Sequence, residues 1–364
     1  MKEICFDARM CSKTGIGVYI RNILEQLKKS SFKMRVLIKK EDVEKWKFLK
    51  EFDPIIVKSD IYSVQEQLEL PLKIPKCDIF WTPHYNVPLS GLRAKKRVVN
   101  IHDVCHLAFS HQFSLIQKMY SRIVMNQAVQ RSDLIFTGSY FSKEEILKYT
   151  RAKKEKVQVI WNGVNKALFQ KEGLNVLENI KVKYTLPDNF FLYVGRFSPY
   201  KNIGRLLKAF SKLKKEFPHQ ALVLVGSFPK EEKMREVFNK FPDLKESVYF
   251  LGFIPEEDLP SIYQLAIALI HPSLYEGFGL TPLEAMSCGC PVVVSHAASL
   301  PEICGTNAVY VDPYQEESVL EGMKKVLLDK ALLLSLSQRG VDWARQFNWD
   351  QTGASYIRAL ELLC

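Results

Sequence analysis

The chain has 364 residues, too many for one ordinary hydrophobic core and enough for two domains of middling size. Hydrophobic residues at 47% and charged residues at 25% give a globular balance that excludes disorder, and no apolar run approaches the roughly 18–20 residues needed to cross a bilayer. The net charge of +11 is uneven: residues 1–170 carry 30 Lys and Arg against 17 Asp and Glu, residues 171–364 only 21 against 23.

The opening Met1-Lys2-Glu3-Ile4-Cys5-Phe6-Asp7 reads as a first strand. Its two acids leave no room for the uncharged core of a secretory signal, so the protein is expected in the cytoplasm. Further apolar runs follow at Met34–Ile38, Ile79–Thr82, Val98–Ile101, Leu134–Thr137 and Val157–Ile160, with helix patterns between them such as Val18–Leu27 and Gln117–Gln130. That alternation predicts a parallel sheet covered by helices. It restarts after about residue 185 with Phe191–Val194, Leu222–Val225, Val248–Leu251, Ala266–His271, Val292–Ser295 and Ala308–Val311. Two doubly wound α/β domains are expected, residues 1–170 and 171–346, with the polar stretch Gln170–Tyr184 as linker. A last amphipathic helix over 347–364 has Ile357, Leu360 and Leu363 on one face.

Eight cysteines form no CxxC pair or regular framework and read as reduced core thiols. Cys288-Gly289-Cys290 has no second cluster to complete a metal site, and no other Asp or His grouping suggests one, so neither metal nor cofactor is expected. The basic first half fits an anionic membrane surface, a phosphate-bearing acceptor or a merely solvated face. It lacks the aromatic-basic interleaving of a nucleic-acid binder, and no nucleic acid is expected.

The stretch richest in chemistry is Pro272-Ser273-Leu274-Tyr275-Glu276-Gly277-Phe278-Gly279-Leu280-Thr281-Pro282-Leu283-Glu284. A strand ends at His271, and a loop with two glycines enters a helix near Thr281 or Pro282. A glycine-rich entry to a helix N-terminus suits phosphate, because open N–H groups and the helix dipole both favour an anion. Glu276 and Glu284 are eight residues apart; carboxylates at such a loop suit sugar hydroxyls, each oxygen accepting O–H bonds. Val194-Gly195-Arg196-Phe197-Ser198-Pro199-Tyr200-Lys201 places two cations at a strand-to-helix turn, where they can neutralise a leaving diphosphate. Thr14-Gly15-Ile16-Gly17 follows the first strand but fails as a dinucleotide fingerprint, because Ile20 stands where a glycine or alanine belongs. His102 and Asp103 end the strand Val98–Ile101, at the carboxyl edge where ligands bind in such sheets.

Glu276-x7-Glu284 within E-G-F-G-L-T-P-L-E-A-M-S-C-G-C-P-V-V-V-S resembles the signature of the large retaining glycosyltransferase family four, glycosyl transferases group 1. The resemblance implies the GT-B fold, two Rossmann-like domains facing each other across a cleft. It gives Glu276 the donor sugar, Glu284 the nucleotide ribose, and the backbone of Gly277, Phe278, Gly279 and Leu280 the diphosphate. Gly195, Arg196 and Lys201 match the family's donor-phosphate element, and Gly15 and Gly17 its first glycine loop. His102 matches a histidine near the donor sugar. Leu251-Gly252-Phe253-Ile254-Pro255 resembles the turn holding the nucleotide base, with Gly252 and Ile254 in contact. Asn162-Gly163-Val164 is similar to a turn ahead of the domain crossover, and Phe347-Asn348-Trp349-Asp350 to the start of a helix returning to the first domain.

The expected reaction is retaining transfer from a nucleotide-sugar donor, without a covalent carboxylate nucleophile. The F-D-A-R…T-G-I-G-V-Y-I and I-H-D stretches look most like bacterial mannosyltransferases of polysaccharide and lipopolysaccharide assembly, which implies GDP-mannose and a glycan or lipid-linked acceptor, with peripheral membrane contact through the basic first domain. A nucleotide-sugar epimerase, a sugar phosphorylase, a non-catalytic binding protein and a dehydrogenase are the rival classes.

Overall fold

A computed structural model describes residues 1–13, 15–89, 91–110, 115–227 and 238–364. Two compact units divide it: Met1–Gly163 with Trp349–Cys364, and Val164–Asn348. The division at Gly163/Val164 comes seven residues before the expected 170/171 boundary, and the C-terminal division at Asn348/Trp349 two residues after 346/347.

The first unit is built on seven parallel strands, β1 (Glu3–Asp7), β2 (Lys33–Ile38), β3 (Asp53–Ile56), β4 (Cys77–Thr82), β5 (Ala94–Asn100), β6 (Leu134–Thr137) and β7 (Val157–Val159), in the order β3-β2-β1-β4-β5-β6-β7. The chain winds outward from β1 to one edge, then returns to start β4 on β1's other side. The carboxyl ends of β1 and β4 therefore form the crevice where ligands bind in open α/β sheets. Strand β3 escapes a hydrophobicity reading because it is four residues long and contains Pro54; it survives as an edge strand, where a missing N–H is tolerated. The C-terminal helix Trp349–Leu363 packs on the helix Ile16–Leu27. Its buried residues Thr352, Tyr356, Ala359 and Leu360 recur at helical spacing. Gly353 allows the close approach, since a Cβ there would stand 2.4 Å from Gln26 Cβ. Tyr356 meets Trp81 and Phe136 at ring distances of 5.3 and 4.6 Å.

The second unit holds six parallel strands, β8 (Phe190–Val194), β9 (Ala221–Val225), β10 (Val248–Gly252), β11 (Ala268–His271), β12 (Val292–Ser295) and β13 (Val309–Val311), in the order β10-β9-β8-β11-β12-β13. Alternate residues of β8 enter different cores: Phe190 and Leu192 join one, Phe191 and Tyr193 the other. A sheet buried on both faces needs apolar residues at every position, which is why these strands read as unbroken hydrophobic runs. The winding reverses between β8 and β11, so the loops after those two strands flank this unit's crevice.

The expected linker Gln170–Tyr184 is instead partly ordered as the helix Leu174–Lys183. Ile180 is its one buried residue and joins a core cluster with Ile262 and Tyr263, while Leu174, Val176 and Val182 face solvent. One buried position in ten leaves no apolar stripe to read from sequence.

Candidate active site

At the crevice of the second unit the loops after β8 and β11 are stitched together. Leu274 N donates to Tyr200 O at 2.7 Å, and Asn202 Nδ2 to Pro272 O at 3.0 Å and Pro313 O at 2.7 Å. Asn202 is left-handed, at φ 62°, a conformation that asparagine tolerates better than most residues. These bonds set Lys201 beside Glu276, with Nζ 2.5 Å from Oε1. His271, the last residue of β11, places Nε2 2.5 Å from the same oxygen and is 1% exposed. Ser273 Oγ lies 3.1 Å from that nitrogen, and the Tyr193 ring stacks against the imidazole at 6.3 Å.

Burial lowers the His271 pKa, and it outweighs the opposing pull of Glu276. The ring is therefore neutral near pH 7 and gives its Nε2–H to Glu276, a tautomer inferred from the hydrogen bonding. Burial by itself would push the Glu276 carboxyl up; Lys201 and His271 prevail and hold it well below the ordinary carboxylate range. Glu276 is thus a fixed anion with its charge matched by the half-buried Lys201 ammonium.

The segment after Glu276 is pinned by Ser299 Oγ, 2.9 Å from Glu276 O and 2.8 Å from Phe278 O. Gly279 precedes the helix Leu280–Ser287 with φ 104°, and a Cβ there would come within 2.8 Å of Leu300 Cδ2. With no side chain to cap it, that helix presents the backbone end that favours anions.

Glu284 lies on the same helix in the opposite electrostatic setting. Burial, with Glu256 nearby, pushes it up to about 8, and only Tyr263 Oη, 3.4 Å from Oε2, counters this. A raised carboxyl stabilises the fold fully below its unfolded value of about 4.5, and that contribution is lost as pH rises through 8. Glu284→Gln is therefore expected to melt several degrees above the parent at pH 9 and close to it at pH 5. Equal melting points at pH 9 in a thermal scan would show that burial does not strain this group.

Glycines end the neighbouring strands. Gly195 N donates to Val225 O at 2.9 Å, and Gly226 N to Gly252 O at 2.8 Å. Gly226 has φ 133°, and a Cβ there would fall 2.0 Å from Gly195 O; Gly252 has φ 71°. The result is a bare backbone strip at the carboxyl ends of β8, β9 and β10. Gly226, His271 and Ser273 are absent from the sequence-derived site. Their available signal was position, directly after or at the end of an apolar run. Arg196 is exposed on the β8 loop, and Ile254 is buried beyond β10.

Gly15, Gly17 and His102 belong to the first unit. Gly15, at φ 68°, is the N-cap of the helix Ile16–Leu27, while a Cβ on Gly17 would meet Cys11 O at 2.5 Å. Thr14 lies outside the described residues. His102 Nε2 is 2.9 Å from Pro83 O, and its ring meets Tyr19 edge-on at 4.9 Å. Burial keeps this imidazole neutral, so Nε2 carries the proton given to the carbonyl and Nδ1 holds the lone pair. The sequence-derived residues thus fall into two groups, each at the carboxyl edge of its own sheet.

Residues 178–343 match the family described as "Glycosyl transferases group 1", and residues 13–168 match "Glycosyltransferase Family 4". The chain is 30% identical over 266 residues to the O-antigen chain mannosyltransferase RfbU of Salmonella typhimurium, covering 73% of this chain and 69% of that protein. It is 29% identical over 287 residues to O-antigen chain mannosyltransferase B of Escherichia coli, covering 78% and 74% respectively. In fold it is similar to the crystal structure of Anabaena HepE in complex with UDP-glucose, with a TM-score of 0.81, 20% identity, and coverage of 99% of this chain and 100% of that one. The chain belongs to glycosyltransferase family four, and it is a glycosyltransferase with the GT-B pair of Rossmann-like domains.

Proposed function

We propose that the protein is a retaining transferase that moves mannose from GDP-mannose to a glycan or lipid-linked acceptor. The observation that carries this reading is the Lys201–Glu276–His271 cluster at the winding reversal of the second unit. Glu276 has its acid proton removed and its charge fixed, so it accepts hydrogen bonds from sugar hydroxyls and does not act as a general acid. Lys201 has three donors and spends one on Glu276. Its remaining N–H groups, Arg196, and the backbone of Gly277–Leu280 then take the charge that develops on the departing diphosphate. Glu284 holds the ribose, and the Gly252–Ile254 turn takes the base.

In the reaction the bond between the sugar's anomeric carbon and the diphosphate oxygen breaks. The acceptor oxygen bonds that carbon on the same face, and its proton passes to the departing phosphate oxygen. Glu276, already engaged by Lys201 and His271, is a poor covalent nucleophile, which favours this direct route. Mannose is supported by the names of the two relatives above. A thermal-shift panel of GDP-, UDP-, dTDP- and ADP-sugars tests the donor: GDP-mannose should raise the melting point most and release GDP when acceptor is added. A shift confined to another base would replace the proposed donor, and no shift with any of them would end the donor reading.

The acceptor side is proposed to meet an anionic membrane. Within the first unit Val64, Leu68 and Leu72 stand exposed at four-residue spacing on the helix Val64–Lys73. Leu115, Ile116, Met119 and Ile123 do the same on the helix Leu115–Arg131, beside Lys118 and Arg122. Tyr62, in the turn two residues ahead of the first helix, meets Tyr120 of the second at a ring distance of 6.4 Å. This unit also holds 30 Lys and Arg against 19 Asp and Glu, so the whole net charge of +11 resides here. Apolar side chains rimmed by cations suit an interfacial site. Among the described residues no helix is long and apolar enough to cross a membrane. The protein should co-sediment with phosphatidylglycerol/phosphatidylethanolamine vesicles and not with phosphatidylcholine alone, and the pair Leu68→Ser with Leu72→Ser should weaken it about tenfold or more. Undiminished sedimentation of that variant would contradict the assignment.

A further inference from the structure

Ser299 is the N-cap of the short helix Leu300–Cys304, yet its side chain makes no bond to that helix. A serine at this position ordinarily accepts from an N–H of the first turn, which is why it is among the favoured caps. Here the hydroxyl turns instead to the loop after β11, and its single proton is shared between Glu276 O at 2.9 Å and Phe278 O at 2.8 Å. The residue is wholly buried. Its neighbour Ala298 holds φ 54°, a left-handed conformation that a Cβ disfavours. Such strain persists only where the surrounding structure imposes it.

Both carbonyls belong to planar trans peptides, in which C=O and N–H point in opposite directions. With Glu276 O and Phe278 O drawn to Ser299, the N–H groups of Gly277 and Gly279 point away from the loop after β12. An adjoining peptide shows what lies on that side. Ser273 O accepts from Ser295 Oγ at the end of β12, and the N–H of the same peptide, on Leu274, donates to Tyr200 O at 2.7 Å. Tyr200 lies in the turn after β8, and β11 stands between β8 and β12. Away from β12 is therefore toward the winding reversal and the turn that carries Lys201. Two buried serines hold one side of the loop, and its N–H groups are set on the other.

We infer that Ser299 is a positioning residue for the donor, which by holding two carbonyls aims the Gly277 and Gly279 N–H groups at the diphosphate. The inference rests on the donor reading above, which gives the Gly277–Leu280 backbone to the diphosphate, and it adds the side chain that orients that backbone. Without the hydroxyl the two peptide planes lose their anchor, and the N–H groups must be ordered when phosphate arrives, at the expense of affinity. Ser295 supplies a control within the same loop. It is equally buried and also bonds a carbonyl, but the N–H of that peptide is already engaged by Tyr200.

Isothermal titration of the full chain with GDP and with UDP tests it, the tighter of the two serving for the variants. Ser299→Ala should weaken that nucleotide about tenfold or more, the scale of misplacing two charge-assisted donors. Ser299→Cys keeps nearly the same shape with a weak donor, so its affinity should fall between, and it carries the test if the alanine variant does not fold. Ser295→Ala should melt below the parent, as Ser299→Ala does, and bind the nucleotide within about twofold of it. Undiminished binding by the folded Ser299 variants, or an equal loss in Ser295→Ala, would reduce Ser299 to packing and overturn the inference. A parent that binds neither nucleotide would instead overturn the donor reading on which it rests.

Discussion

Replacing Glu276 by Gln is expected to cut sugar transfer by about 10²–10³-fold while the protein still unfolds cooperatively. The carboxylate lies 2.5 Å from both Lys201 Nζ and His271 Nε2, so it is oriented before any donor arrives. An amide of the same shape keeps one acceptor oxygen but brings two N–H groups toward a neutral ring and an ammonium that both donate. It can no longer accept strongly from the sugar's hydroxyls, and Lys201 is left without its counter-charge. On the proposed role, in which Glu276 contacts the reacting sugar, the loss should fall on kcat more than on donor KM. A variant with full activity would remove Glu276 from the site.

The second large effect is expected from Lys201→Met, which preserves length and removes charge. In the parent, Lys201 and His271 hold Glu276 below the ordinary carboxylate range against burial. Such a depressed group adds stability that is present above the unfolded value of about 4.5 and is lost as pH falls through the lower folded value. Without the ammonium, burial is expected to prevail over His271 and push the Glu276 carboxyl up. The sign reverses: stability is then lost as pH rises. The difference between parent and variant should therefore widen from pH 5 to pH 8, reaching about 3 kcal/mol, the scale of breaking one half of a buried ion pair. Denaturant unfolding at several pH values measures it, and a pH-independent difference would show that the two side chains are not coupled. The double variant Glu276→Gln with Lys201→Met should lose less stability than the two single losses together, since neither charge is then left alone.

Most of the fold is legible because a sheet buried on both faces forces continuous apolar strands, and twelve of the thirteen strands among the described residues announce themselves that way. The exception, β3, is an edge strand with a proline, and the helix Leu174–Lys183 buries only Ile180. Neither has to satisfy a core on more than a narrow side, so neither carries a pattern. The site was legible in its backbone parts. Glycine-rich entries such as Gly277–Leu280 advertise themselves because few other residues adopt their geometry, as φ 104° at Gly279 illustrates. The charge pairing was not legible. Lys201 and Glu276 are 75 residues apart, and Arg9 and Glu66 57 apart, and nothing local joins either pair. The turn that carries Lys201, and its resemblance to the family's donor-phosphate element, point to a diphosphate, whereas the fold also pairs it with Glu276. His271 is not legible as chemistry in the sequence, because a histidine closing a buried strand looks like core until its partner Glu276 is placed beside it.

The electrostatic contrast between Glu276 and Glu284 also came from the fold alone. One carboxyl is held ionised by a cation, and the other is pushed up to about 8 by burial. A donor whose ribose hydroxyls meet Glu284 and whose sugar hydroxyls meet Glu276 therefore encounters two acids in different states, although the sequence presents them as a matched pair.

The measurement that bears most directly on the proposed chemistry is NMR of the full chain turning over GDP-α-[1-13C]mannose in the presence of a mannose-terminated oligosaccharide. Retaining transfer requires the 13C label to appear in a new α-glycosidic linkage as GDP is released, and the signal to fall with Glu276→Gln. A β-linked product, or label appearing only as free mannose or mannose phosphate at an undiminished rate in that variant, would contradict it.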